Sequence, residues 1–98
     1  MQAYDQAVVE RAASAFKALG NPSRLGLLLH LQDHECTVSH LVELSGLSQP
    51  LVSQHLRSLR AAGLVDVRRV GKEAHYRVVD QHVMHVVSDA VAHAAESA

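Results

Sequence analysis

The chain has 98 residues, 48% hydrophobic and 3% aromatic, with a formal net charge of −1. That length suits one domain, residues 1–98, and the apolar share excludes general disorder while leaving an aliphatic core that gains from further burial in a dimer. No apolar run reaches the ~20 residues that span a bilayer and no charged-then-apolar leader opens the chain, so no membrane association is expected and the cytoplasm is the expected location.

Residues from about 4 to 19 carry helical spacing, with Val8, Ala12, Ala15, Phe16 and Leu19 able to share a face. Gly20-Asn21-Pro22 breaks that pattern. Asn21 can cap a second helix, from Pro22 to about Gln32, in which Leu25, Leu28, Leu29 and Leu31 are apolar. The single cysteine, Cys36, follows and fits a reducing compartment. A short amphipathic stretch covers Thr37 to Ser45, Gly46 turns the chain, and Ser48 is placed to cap a helix running through Ala62.

In that helix Val52, Leu56 and Leu59 fall within ~60° of one another and predict a core stripe. Ser53, Gln54 and Arg57 lie on the other side. A helix, a tight glycine turn and a second helix with a short-polar outer face are what a helix-turn-helix requires; short side chains let it sit deep in the major groove while Gln and Arg reach base edges. Gly63 is placed to end it. Leu64 to Val70 and Ala74 to Val79 then read as two strands joined by a Gly71-Lys72 turn. Between Arg57 and Arg77 six basic residues face two acidic ones, net +4, while the rest has three basic and eight acidic, net −5. A basic hairpin after a recognition helix is a wing, with Arg68, Arg69 and Lys72 expected on phosphates. Ser48, Gln49, Ser53, Gln54 and Arg57 are expected at the major groove. The fold expected is mainly α with a β-hairpin wing, a winged helix-turn-helix, with double-stranded DNA as partner.

The last helix, about residues 80–96, carries Asp80, His82, His93 and Glu96. His82 and His93 lie within ~20° of one face but ~16 Å apart along the axis, too far to share a zinc whose ligands sit at about 2.0–2.2 Å. Either they share no metal, or a second, antiparallel helix supplies the missing half. Facing positions in such a pair keep a constant sum, and the sums agree: 176 for Asp80 with Glu96 and 175 for His82 with His93. The two-fold axis then crosses near Val87 and Ser88, and each site takes Asp80 and His82 from one chain and His93 and Glu96 from the other. Asp80 can alternatively act as the helix cap, Glu96 can lie solvated at a frayed end, and the histidines can be polar interface residues. Asp89 and His85 lie near the same stripe. The pairs His30 with His34 and Cys36 with His40 lack further ligands, and His55 and His75 suit packing or DNA contact.

These stretches resemble the ArsR/SmtB family of bacterial metal-sensing repressors. The likeness is carried by Ala18-Leu19-Gly20-Asn21-Pro22-Ser23-Arg24-Leu25, by Ser48-Gln49-Pro50-Leu51-Val52-Ser53-Gln54-His55-Leu56, by Ala62-Gly63-Leu64-Val65, and by Asp80-Gln81-His82 with His93 and Glu96. The resemblance implies a homodimer through the first and last helices, a metal site on the C-terminal helices, and a palindromic operator released when metal binds. Where thiol-sensing relatives carry a C-V-C motif, this chain has Thr37-Val38-Ser39-His40. Two nitrogen and two oxygen ligands without thiolate suit tetrahedral Zn(II), or Co(II) in the same geometry. Ni(II) usually wants more ligands, and soft Cu(I) is disfavoured. A winged-helix repressor answering a redox signal through Cys36, its last helix purely structural, is the competing reading. An enzyme with an organic substrate is not expected: four protein ligands would close a zinc, and no nucleophile constellation is visible.

Overall fold

Asp5 starts the first helix: its carboxylate accepts the Ala7 amide at 2.8 Å, so α1 runs Gln6–Leu19 in the computed structural model, which describes residues 4–96. The Asn21 side chain accepts the Arg24 amide at 3.0 Å and caps α2, Pro22–His30, two residues shorter than the pattern suggested. Arg24 Nε closes the corner between the two helices by donating to the Ala18 carbonyl at 2.7 Å. A two-residue strand, β1 (Cys36–Thr37), leads into α3 (Val38–Ser45), which Thr37 caps and Gly46 ends at φ 75°. The Ser48 hydroxyl accepts the Leu51 amide at 3.3 Å and starts α4, Gln49–Ala61.

The end of α4 is fixed by backbone geometry. Gly63 adopts φ 75°, Leu64 N donates to the Leu59 carbonyl at 2.9 Å and Gly63 N to Arg60 at 3.0 Å. This pattern satisfies carbonyls that a helix end would leave open, and its usual apolar partners, Leu59 and Leu64, are both buried. The chain then forms β2 (Val65–Val70), β3 (Glu73–Val78) and α5 (Gln81–Glu96).

The expected hairpin is therefore part of a three-stranded antiparallel sheet of order β1–β3–β2. β3 is central, pairing Arg68 with His75 on one side and Thr37 with His75 on the other. Strand β1 is too short to show a two-residue alternation, and it exists because β3 offers it a free edge.

The core is aliphatic, as the composition required. Leu27, Leu28, Leu41, Val52, Leu56 and Leu59 have no exposed surface, and each such side chain contributes about 1.5–3 kcal/mol by leaving water. Leu27 was not among the leucines expected inside, whereas Leu29 stays 36% exposed. The first helix departs further from its pattern. Ala18 alone is fully buried from α1, Ala15 and Leu19 are partly covered, and Phe16 is 61% exposed. The α1 stripe is apolar, but this chain does not bury it. No helix among the described residues is long and apolar enough to cross a membrane.

Candidate DNA-binding surface and metal-ligating helix

The stripe of Val52, Leu56 and Leu59 anchors α4 against α3 and α2, which turns the opposite face outward. Gln49, Gln54 and Arg57 are exposed there, and Ser53 is half-buried beside them. Gln49 Nε2 donates to Ser53 Oγ at 3.4 Å, a contact weak enough to be exchanged for a base edge. Ser48 spends one lone pair on its cap and keeps its hydroxyl proton for a phosphate or base. Leu51, which the pattern analysis gave no role, is also exposed on the first turn of α4. Its signal was available: it lies about 100° from Val52 and well off the core stripe.

The sheet sorts the basic residues of the wing. Because side chains alternate faces along a strand, Asp66, Arg68, His75 and Arg77 share one face and Arg69 takes the other. On the shared face Arg77 Nε donates to Asp66 Oδ1 at 3.0 Å, and Arg68 pairs with Glu35, just ahead of β1. His75 Nδ1 lies 3.5 Å from the same Glu35 carboxylate, and His75 Nε2 lies 3.7 Å from Glu73. The hydrogen bond from Arg68, with the nearby charges of Arg68, His75 and Arg77, holds the Glu35 carboxyl below its ordinary pKa despite some desolvation. Arg69 and Lys72, at the tip, have no ion-pair partner among the described residues.

Of the four candidate ligands, His82, His93 and Glu96 lie on α5 and Asp80 lies just ahead of it. Val87, at the middle of α5, is 1% exposed and faces this chain's own core. His82 lies about 140° around the helix from Val87, and its side chain is 93% exposed. His93 and Glu96 are exposed as well. Any two-fold axis near Val87 and Ser88 therefore passes outside the helix, on the face opposite Val87. Asp80 is the cap: its Oδ1 accepts the Val83 amide at 3.2 Å and lies 3.7 Å from His82 Nδ1. Asp80 and His82 are thus brought together, but His93 and Glu96 are not brought to them. Among the described residues no three His, Cys, Asp or Glu side chains within one chain could hold a metal.

The cap gives Asp80 a structural role that can be separated from ligation. Asp80→Ala should lower unfolding stability by about 1 kcal/mol, while Asp80→Ser should retain most of it because serine also caps. Urea unfolding of both metal-free variants checks this, and an equal loss in both would show that capping is not the main contribution.

His34 lies beside Cys36 and stacks on His40: the ring centroids are 6.0 Å apart, and Cys36 Sγ lies 3.7 Å from His34 Nδ1. The cysteine is 2% exposed, and burial pushes its thiol pKa up, away from the reactive thiolate. His85 lines an open cleft of about 470 Å³ with Asp80, Glu35 and Met84, and Asp89 is exposed.

An apolar trough runs between α1 and α5, lined by Ala12, Phe16, Leu19, Val83 and Val86 with His82 at its edge. Residues 21–67, from the α2 cap into β2, match the family described as bacterial regulatory protein, arsR family. The HTH-type transcriptional repressor SmtB of Mycobacterium tuberculosis is 44% identical over 91 residues, 93% of this chain and 67% of that protein. The chain belongs to the ArsR family. A second relative of this ArsR-family protein, the transcriptional repressor SmtB homolog of Synechocystis, is 40% identical over 93 residues, 95% of this chain and 69% of that protein. Among solved structures, the homodimeric winged helix-turn-helix DNA-binding domain of a possible ArsR-family regulator from Mycobacterium bovis superposes with a TM-score of 0.87. It is 28% identical and covers 99% of this chain and 93% of that one. The fold is the winged helix-turn-helix of DNA-binding transcriptional regulators, as the helix-turn-helix and hairpin patterns led one to expect.

Proposed function

We propose that this ArsR-family protein is a bacterial, cytoplasmic, homodimeric repressor, a single domain over residues 1–98, that binds a palindromic operator when metal-free. Zn(II), or Co(II) in the same geometry, would release it from two inter-subunit sites. One observation carries the reading: α5 turns His82, Asp89 and His93 outward along one stripe while Val87 faces the core. The two histidines of that stripe are useless as ligands to a single chain and complementary to a second copy. Asp80 and His82 of one chain would hold the metal with His93 and Glu96 of the partner subunit, and the donor set of two imidazoles and two carboxylates fits zinc. The set offers Ni(II) too few ligands.

On the DNA side Ser48, Gln49, Ser53, Gln54 and Arg57 approach the major groove, and Arg69 and Lys72 reach phosphates. The two recognition helices then read half-sites about one turn, ~34 Å, apart. The link between the two functions is short. Strand β3 returns from the wing and ends at Val78, and α5 begins after two intervening residues. A displacement of Asp80 and His82 toward the partner therefore pulls on the central strand of the sheet that carries the wing. For metal to control DNA, the DNA-free form must bind metal more tightly than the DNA-bound form, and the coupling is then reciprocal.

Zinc titrated against the operator complex tests this. A coupling of 1–3 kcal/mol weakens operator affinity about 5- to 150-fold when the sites are filled. Unchanged affinity at full occupancy would overturn the sensor reading. The burial of Cys36 and its raised thiol pKa give a redox signal little to act on.

A further inference from the structure

The wing carries a charge that the structure does not leave free for DNA. Arg68 lies on β2, and its guanidinium reaches across the exposed face of the sheet to Glu35, 33 residues earlier in the chain and just ahead of β1. Glu35 is held in place by what surrounds it: His75 stands 3.5 Å away on the central strand, and β1 is pinned to β3 through Cys36 opposite Tyr76 and Thr37 opposite His75. The Arg68 side chain is still 55% exposed, so the pair sits at the surface where a nucleic-acid backbone would pass.

We propose that Glu35 restrains the wing by occupying Arg68, so that this arginine is withheld from the DNA backbone. The proposal rests on the reading of the β2–β3 hairpin as a DNA-contacting wing. A phosphate offers Arg68 one negative charge, as Glu35 already does, and both accept charge-assisted hydrogen bonds of similar strength. Exchange therefore gains little for Arg68. It also leaves the Glu35 carboxylate without its arginine and facing a phosphate of like charge. An arginine neutralised within the protein releases no counterion from DNA, so it adds nothing to the sequence-independent part of binding. Glu35 thereby lowers affinity for duplexes in general and leaves discrimination to α4. His75 faces Glu35 on one side and Glu73, at 3.7 Å, on the other, and Arg77 of the same face is occupied by Asp66.

The test is the salt dependence of binding to a non-operator duplex, read by fluorescence anisotropy on the whole chain. Each phosphate neutralised contributes about −0.9 to the slope of log affinity against log salt. Glu35→Gln keeps the shape and removes the charge; it should steepen the slope by ~0.9 per subunit and raise affinity about tenfold or more at low salt. Arg68→Ala alone should leave the slope unchanged, and the double variant should return to the wild-type slope. If Arg68→Ala flattens the slope by ~0.9 per subunit, the arginine is already on a phosphate and the proposal fails. An unchanged slope in Glu35→Gln would overturn it equally. Wild-type protein that binds no duplex would overturn the wing reading and this proposal together, whereas the two variant results strike the proposal alone.

Discussion

Heterodimers combining one His82→Ala subunit with one His93→Ala subunit are expected to hold one tetrahedral metal site, while either variant alone holds none. The expectation follows from the placement of α5. His82 and His93 are both exposed on the side away from Val87, yet a single straight helix sets them about 16 Å apart, so no metal can bridge them within one chain. In a two-fold pair each site takes one histidine from each subunit. A His82→Ala homodimer loses a ligand from both sites, as does a His93→Ala homodimer. In the mixed dimer both damaged positions fall in the same site, and the other site receives an intact His82 from one subunit and an intact His93 from its partner. Co(II) absorption is the readout, because tetrahedral cobalt gives intense visible bands that six-coordinate cobalt does not. Even second-sphere changes at a metal site cost 10–100-fold in affinity, so loss of a direct imidazole ligand should exceed that. The metal-free variants should bind operator as wild type does, since neither histidine lies on α4 or the hairpin. A mixed dimer with no tetrahedral site would show that the ligands do not alternate between subunits.

The sequence made the helix starts and the recognition helix readable because those signals are local. Asn21 and Ser48 cap through their own side chains, within three residues, and Thr37 does the same for α3. The α4 stripe was equally plain, since three apolar residues at helical spacing have one face to offer and a core to fill. What could not be read were pairings whose partners lie far apart. Strand β1 has two residues and depends on β3, nearly 40 positions later, for its existence. The Glu35–Arg68 pair depends in turn on β1. A charge count over residues 57–77 gives net +4, but it cannot reveal that Arg68 and Arg77 are already answered by Glu35 and Asp66. The face that α5 buries was also ambiguous. Val83, Val86, Val87 and Val91 spread over an arc of about 140°, and only packing on α2 and β3 decides that Val87 goes in and Val86 stays 42% exposed. The outward stripe that results is where spacing alone had set the histidines.

Phe16→Asp is expected to remove metal binding while leaving all four candidate ligands intact. Phe16 is the largest apolar side chain that α1 leaves uncovered, at 61% exposure, and it shares a trough with Val86 and His82 beside the outward stripe of α5. Val8 and Val9, on the same helix, are 45% and 46% exposed. A chain with so small a core does not leave that much aliphatic and aromatic surface in water without use, and a second copy presenting the same patch is the symmetric way to cover it. Each buried Phe contributes about 1.5–3 kcal/mol, and the two-fold counts every substitution twice, so about 3–6 kcal/mol of dimer stability is at stake before the cost of burying a charge. At 1.4 kcal/mol per tenfold, the dimer Kd should rise by about 10²–10⁴. Sedimentation should then find a monomer at concentrations where wild type is dimeric, and zinc or cobalt stoichiometry should fall with it. The folded monomer should keep its helical circular dichroism, because Phe16 lies outside the buried set of Leu27, Leu28, Leu41, Val52, Leu56 and Leu59. Raising the protein concentration should recover dimer and metal sites in parallel. A monomeric variant that still binds tetrahedral cobalt at full stoichiometry would place the site within one chain and would contradict the alternating arrangement from a direction independent of the histidines.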